Sequence, residues 1–287
     1  MFILQQYNVY VYEFLQRHFS IAKKGGSPER VLNTIPDFDG GQYYISNKND
    51  DKNLIMISLN IRYYKELQSH GCDAFLRSHY SGYIQDTPED GYNVSLVFDL
   101  TKLPDDIDAL ALKAAHLKRN CFASVFYKYF DIQAKLEKGE PANHTRAVIH
   151  YRPNETLFID AKSDRVTVIY STTFMEDDAV AGKLFLQEFE QGRRSSQTAP
   201  QVLYRIREPP NELKDCKDAL IGENVGYITF IFFPRHLTPA NRDNTINLLH
   251  IFRDYLHYHI KCSKAFLHSR FRQKATEWLK VLNRAKP

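Results

Sequence analysis

Apolar positions along this chain alternate with polar ones in short runs, and they settle into helical spacing in only a few places. Near the start, Leu4, Val11, Leu15 and Phe19 fall close to one face at 3.6-residue spacing. That pattern predicts a helix over 3–19, ended by Lys23-Lys24-Gly25-Gly26-Ser27-Pro28. Runs of alternating pattern follow at 31–38, 42–46 and 54–61, parted by Asp39-Gly40-Gly41 and by residues 47–51. Their turn chemistry predicts three antiparallel strands. Residues 64–79 carry Tyr64, Leu67, Phe75 and Leu76 around Gly71 and read as a helix, and 80–84 and 92–100 read as strands. Leu103-Pro104-Asp105-Asp106 then opens a long helix over 107–136, through Leu110, Ala114, Leu117, Cys121, Val125 and Tyr129.

The same order recurs after the polar break at 137–143. Runs 146–151, 156–161 and 165–173 predict three strands joined by Pro153-Asn154-Glu155 and Lys162-Ser163-Asp164. A helix from Asp177-Asp178 passes through Val180, Leu184, Phe185 and Phe189 and closes at Gly192, with Arg193 and Arg194 at its negative end. Strands at 201–206 and 226–233 precede a last helix from Thr238-Pro239. The fold class predicted is α+β, with two similar α-β(3)-α-β(2)-α domains and antiparallel sheets at 1–120 and 121–237, followed by a long helix at 238–287.

That last helix carries the functional signal. Ile246, Leu249, Leu256, Ile260, Ser263, Leu267, Phe271, Trp278 and Leu282 keep 3.6-residue spacing, and neither Pro nor Gly interrupts the chain between Pro239 and Pro287. A helix of ~45 residues at ~1.5 Å per residue spans roughly 65–70 Å, whereas a domain of ~120 residues is only ~35–40 Å across. Its far end must therefore project. A stripe that stays apolar as far as Trp278 and Leu282 predicts a partner helix or domain to cover it.

Composition and charge sharpen this picture. The chain of 287 residues is 25% charged and 43% hydrophobic, which excludes a disordered protein and allows a real core. Net charge is only +4, but from Arg235 to Pro287 there are eleven Lys and Arg against three acids, Asp243, Asp254 and Glu277. The C-terminal fifth is a separate electrostatic object, suited to steering toward a large acidic surface. Nucleic acid is the competing target for such a basic helix, but no aromatic-interleaved platform or groove-reading motif accompanies it.

Cys72, Cys121, Cys216 and Cys262 lie far apart without a CxxC pair, which excludes a disulfide-dense scaffold and points to a reducing, cytosolic setting. The first basic residue is Arg17, so the order of a secretory signal is absent, and no apolar run approaches the ~20 residues that cross a bilayer. No catalytic, cofactor or metal site is expected. Asp37-Phe38-Asp39-Gly40 reads as turn chemistry rather than a metal-binding carboxylate pair. Gly182-Lys183 lacks the rest of a phosphate loop. His257 and His259 point to divergent helix faces, so they do not make a ligand set with Cys262. Arg193-Arg194-Ser195-Ser196 matches a basophilic kinase preference of low specificity.

The strings LKRNCFASVF at 117–126, RAVIHYR at 146–152, TAPQVL at 198–203 and GYITF at 226–230 resemble one family, as does the helix from Arg242 onward. DFDG at 37–40, YISN at 44–47 and GYNVSL at 91–96 agree with it in colinear order. The family is the large scaffold subunit, subunit 2, of the actin-related protein 2/3 complex. The resemblance implies a non-enzymatic scaffold with two secretion-chaperone-like α+β domains and no cofactor. It implies pairing with subunit 4, assembly with the other subunits, and contact with a mother actin filament while a branch is nucleated, with neither membrane nor nucleic acid as partner. On that reading subunit 4 takes the stripe Leu256, Ile260, Leu267, Phe271, Trp278 and Leu282. Filament contact falls on the cations Lys162, Arg165, Arg193, Arg194, Arg270, Arg272 and Lys274.

Overall fold

The computed structural model describes residues 4–192 and 199–284, with the backbone alone at 176, 177 and 189–192. Helix α1 (Val9–Lys23) begins later than its apolar spacing predicts, because the Asn8 side chain caps it by accepting the Val11 N–H at 3.0 Å. Strands β1 (Leu32–Pro36), β2 (Gln42–Asn47), β3 (Leu54–Asn60) and β4 (Val94–Asp99) form an antiparallel sheet in the order β1-β2-β3-β4. The β1–β2 turn passes through left-handed backbone at Asp39 (φ 60°) and Gly40 (φ 70°), as turn chemistry anticipates.

Two predicted helices are each broken once. Gly71, at φ 93°, separates α2 (Tyr64–Ser69) from α3 (Cys72–His79). His116 separates α4 (Ile107–Ala115), which Asp106 caps, from α5 (Leu117–Glu137); its own ψ of 4° leaves the helical range. Residues 80–84 do not form a ladder. They make one bridge, Ile84 to Leu96, beside β4.

The second sheet contains β5 (Ala147–Arg152), β6 (Glu155–Ala161), β7 (Val166–Thr173), β8 (Gln201–Ile206) and β9 (Val225–Phe232), all antiparallel in the order β5-β6-β7-β9-β8. Helix α6 (Glu176–Gly192) connects β7 to β8, and α7 (Arg242–Arg284) ends the described chain. The architecture is thus the expected α+β class with two antiparallel sheets and a long C-terminal helix. Helix α5 packs against α2 and α3, and also against β6, β7 and α7, so one continuous apolar core joins both sheets. A smaller core of Phe158, Ile169, Leu213, Val225 and Tyr227 lies on the second sheet's other face.

Phe174 fixes the seat of α6. A Cβ at Gly182 of α6 or at Gly226 of β9 would lie 2.7 Å from its ring, which also stacks on His257 of α7 at 5.7 Å. Both glycines are required by this close approach. Gly226→Ala is therefore expected to destabilise the chain by about 1–3 kcal/mol through overpacking. Phe174→Leu in the same background should recover part of the loss, read from urea denaturation midpoints.

Candidate functional site

The first half of α7 is anchored firmly to the body. Ile246, Leu249, Leu256 and Ile260 are buried, and the Tyr170 hydroxyl donates to the Leu249 carbonyl at 2.7 Å. Phe252 packs between the rings of Tyr170 (5.5 Å) and Phe230 (4.7 Å). Around this apolar seat runs a web of largely enclosed charges. Arg119 of α5 donates to Asp243 Oδ1 (2.9 Å) and to Asn247 Oδ1 (2.8 Å) at the start of α7. Arg253 forks onto Glu155 of β6 at 2.8 and 3.0 Å, and Glu155 in turn accepts from the Thr172 hydroxyl and the Thr173 N–H.

Arg152 of β5 occupies the centre of that web. Its Nε donates to Asp39 Oδ1 at 2.5 Å and its Nη2 to Asp254 Oδ1 at 2.7 Å, so one guanidinium joins the first sheet's turn, the second sheet's edge and α7. Lys118 supports the same turn, donating to the Phe38 carbonyl at 2.6 Å and lying 3.5 Å from carboxylate oxygens of both Asp37 and Asp39. Burial works to raise the Asp39 carboxyl, but Lys118 and then Arg152 outweigh it and hold it below the ordinary value. Asp254 goes the other way: burial and the negative charge of Asp39 push it up to about 6 despite Arg152. Burial, then Lys118, lowers His250 to about 3; burial, then Arg253, lowers His257 to about 4.

Beyond Lys264 the surroundings change abruptly. Lys264 pairs with Asp178 of α6 at 2.5 Å, and every position from 265 to 284 is exposed. Those 20 residues extend about 30 Å as a bare rod. Phe271 is 71% exposed and Trp278 73%, with Phe266, Leu267, Leu279, Val281 and Leu282 also open to solvent. At 100° per residue, Leu267, Phe271, Trp278 and Leu282 fall within an arc of about 80° that also holds Ile246, Leu249, Leu256 and Ile260. One stripe is therefore enclosed by its own chain in one half and uncovered in the other.

This corrects the expected partner face at two positions. Leu256 (2% exposed) and Ile260 (fully buried) belong to this chain's own core, not to a surface left for a partner. The reason is α6, which packs across α7 there and brings the Phe185 ring to 6.0 Å from His259. Leu267, Phe271, Trp278 and Leu282 remain accessible.

The candidate cations separate into two groups. Arg270 lies over the Phe266 ring at 5.8 Å, Arg272 is exposed, and Lys274 pairs with Glu277 at 2.8 Å, all on the rod. Lys162 is exposed and Arg165 pairs with Asp164 at 3.6 Å, both in the β6–β7 turn. That turn adjoins the Val166 end of β7, whereas α7 leaves the body beside the opposite end, where Thr172 meets His257. The two groups do not form one patch. Arg193 and Arg194 lie outside the described residues.

The web itself escaped sequence reading. Asp37 and Asp39 do make a turn, and among the described residues no group of three or more His, Cys, Asp or Glu side chains could hold a metal ion. Their use in bonding Lys118 and Arg152 was not foreseen. The available signal was Lys118-Arg119-Asn120 inside an otherwise apolar helical run, since charges so placed need partners. Among the described residues no helix is long and apolar enough to cross a membrane.

Comparison with known proteins bears on what such an anchored rod serves. Residues 57–287 match the family described as Arp2/3 complex, 34 kD subunit p34-Arc. The whole chain aligns at 40% identity with the protein named Actin-related protein 2/3 complex subunit 2 of Schizosaccharomyces pombe, 95% of which is covered. It aligns at 34% identity with the protein of the same name from Dictyostelium discoideum, again over the whole chain and 94% of the relative.

The web predicts an unusual pH response. His250 and His257 bind fewer protons folded than unfolded between about 3 or about 4 and the ordinary ~6.5, so their contribution to stability is lost as pH falls through that window. Asp254 has its folded value at about 6, above the ordinary 3.8, so it adds stability as pH falls from 6 toward 4 and opposes the histidines. Asp254→Asn should raise stability at pH 7. It should then lose it more steeply than the parent between pH 6 and 4, by about 2–3 kcal/mol, in denaturation curves taken across that range.

Proposed function

We propose, from the premise that the chain belongs to the family of the Arp2/3 complex 34 kD subunit p34-Arc, that it is a non-catalytic scaffold subunit of that complex. In this reading the bare half of α7 pairs with subunit 4, and exposed cations contact the mother actin filament from which a branch is nucleated. The single observation that carries the pairing is the stripe of Leu267, Phe271, Trp278 and Leu282, left uncovered on a helix whose root is locked. A patch of that kind on a lone chain favours association. Regions 1–120 and 121–237 act as two α+β domains welded by α5, and 238–287 as the arm offered to the partner.

Filament contact is assigned to the cations that no body element covers. Arg270, Arg272 and Lys274 ride on the rod, and Lys162 and Arg165 mark a second point on the β6–β7 turn. Arg193 and Arg194 complete the set by their charge. Exposed cations of this kind raise the rate of encounter with an acidic surface and are weakened by salt.

Two variants separate these roles. Leu267→Asp combined with Trp278→Asp should abolish co-purification with subunit 4, because each buried unpaired carboxylate costs several kcal/mol, while the far-ultraviolet spectrum of the chain stays unchanged. Full assembly by that variant would refute the face assignment. Arg270→Glu with Arg272→Glu should leave assembly intact and reduce co-sedimentation with actin filaments at low salt; undiminished pelleting would remove both arginines from the contact.

A further inference from the structure

The first sheet ends in β1, whose outer edge pairs with no other strand among the described residues. On its other side the sheet is closed, because Gln85 N–H donates to the Ser95 carbonyl (2.9 Å) and Val97 N–H to the Tyr83 carbonyl (2.8 Å), sealing β4. In the second sheet, the Glu66 carboxylate accepts the His150 N–H at 2.6 Å on the edge of β5. Among the described residues, strand β1 has no such cover.

Its free groups can be identified from the register. Asp37 N–H donates to the Gly41 carbonyl at 2.8 Å, directly after the pair Pro36↔Gln42, so 37↔41 is a hydrogen-bonded pair. Antiparallel alternation then makes Ile35↔Tyr43 and Asn33↔Ile45 the bonded pairs, and turns the backbone groups of Leu32, Thr34 and Pro36 outward. Pro36, which has no N–H, falls where that donor would face away from the sheet, the position in which a strand tolerates proline. Leu32 and Thr34 keep outward N–H groups. Among the described residues neither makes a hydrogen bond outside the β1–β2 ladder.

A cleft of about 700 Å³ meets the start of this edge, at Val31, Leu32 and Asn33, between β1 and α1. Tyr10, Glu13, Phe14, Arg17 and His18 are the side of α1 that lines it, with Glu29 and Arg30 at the entry to β1. Tyr10 is half exposed and Leu32 is 70% exposed, while Phe14 packs on His18 at 4.2 Å to make an aromatic wall. Arg30 is neutralised by Asp50 at 2.8 Å. Among the described residues Glu13, Glu29 and Arg17 have no ion pair, so the cleft carries one negative charge in excess.

We propose that the β1 edge is a docking site for an extended segment of another subunit, which adds to the first sheet as a further strand. The unpaired, evenly spaced donors and acceptors of Leu32, Thr34 and Pro36 fix the backbone of that segment as extended. The aromatic wall of α1 selects large apolar side chains at alternate positions, and the excess negative charge selects a lysine or arginine among them. The proposal rests on the scaffold reading only in taking its occupant from the same complex; it uses no residue of α7.

The assembled complex tests it directly. Hydrogen exchange at the Leu32 and Thr34 amides should run at least about tenfold slower than in an unstructured peptide of the same sequence, as for amides held in a ladder. A photo-cross-linker at Tyr10 (Tyr10→p-benzoylphenylalanine) should capture one other subunit. Thr34→Pro removes an outward N–H without touching the β1–β2 ladder, and should lower the cross-link by about tenfold, the equivalent of one strong hydrogen bond, whereas Thr34→Ala keeps the N–H and should retain it. Exchange at the unstructured rate, capture of a second copy of this chain, or a cross-link undiminished by Thr34→Pro would each overturn the proposal. Subunit composition is scored separately, so a complete complex with an unprotected β1 edge defeats this inference and leaves the scaffold reading standing.

Discussion

The guanidinium of Arg152, shared between Asp39 and Asp254, is the interaction on which the arrangement of the whole molecule depends. Taking the Arg152 and Asp39 charges out of water is costly, and the cost is offset only if an acceptor faces each arm of the guanidinium, which the side chain at 254 supplies whether or not it is ionised. The turn of the first sheet, the edge of the second and the middle of α7 must therefore meet at one point. Lys118 and Arg253 extend the same demand to α5 and β6. The excess of carboxylate around Asp254 shows the balance is not perfect, which is why burial and Asp39 leave that group hard to ionise.

Fixing α7 at its root also fixes it at its tip. An α-helix without Pro or Gly is stiff, and a slip of one residue at the root would turn every later side chain by about 100°. The contacts of Asp243, Asn247, Leu249 and Asp254 thus set the direction in which Leu267, Phe271, Trp278 and Leu282 point, although all four are exposed. Helix α5 contributes by giving both sheets a common wall, so one continuous core underlies the root across the boundary between them. The apolar stripe is therefore enclosed over its first stretch and exposed over its second on one continuous surface.

How far this was legible in the sequence depended on the range of the interactions concerned. Apart from 80–84, which makes only a single bridge, the strands fall within about two residues of their predicted bounds, because local turn chemistry at 39–41, 153–155 and 162–164 punctuates them. The length of α7 was legible because its period runs unbroken. Gly71 hinted at the break between α2 and α3, while His116 gave no comparable hint, since a single off-helix ψ leaves no compositional mark. The exposed part of the stripe was not legible: periodicity shows which side of a helix is apolar, but not what covers it, and so buried Leu256 and Ile260 could not be told apart from exposed Leu267 and Phe271. Least legible was the charge web. Asp39 lies 113 residues from Arg152, and Arg152 lies 102 from Asp254, separations at which sequence pattern carries no information.

Those separations bear on how the chain is made. During synthesis the Asp39 turn and the Arg152 strand leave the ribosome well before Asp254, so the junction between the sheets stays incomplete until the root of α7 has emerged. The greasy tip follows within thirty residues of that moment. Closure of the body and exposure of the apolar stripe consequently arrive almost together, so a nascent chain that completes its junction presents its uncovered arm almost at once.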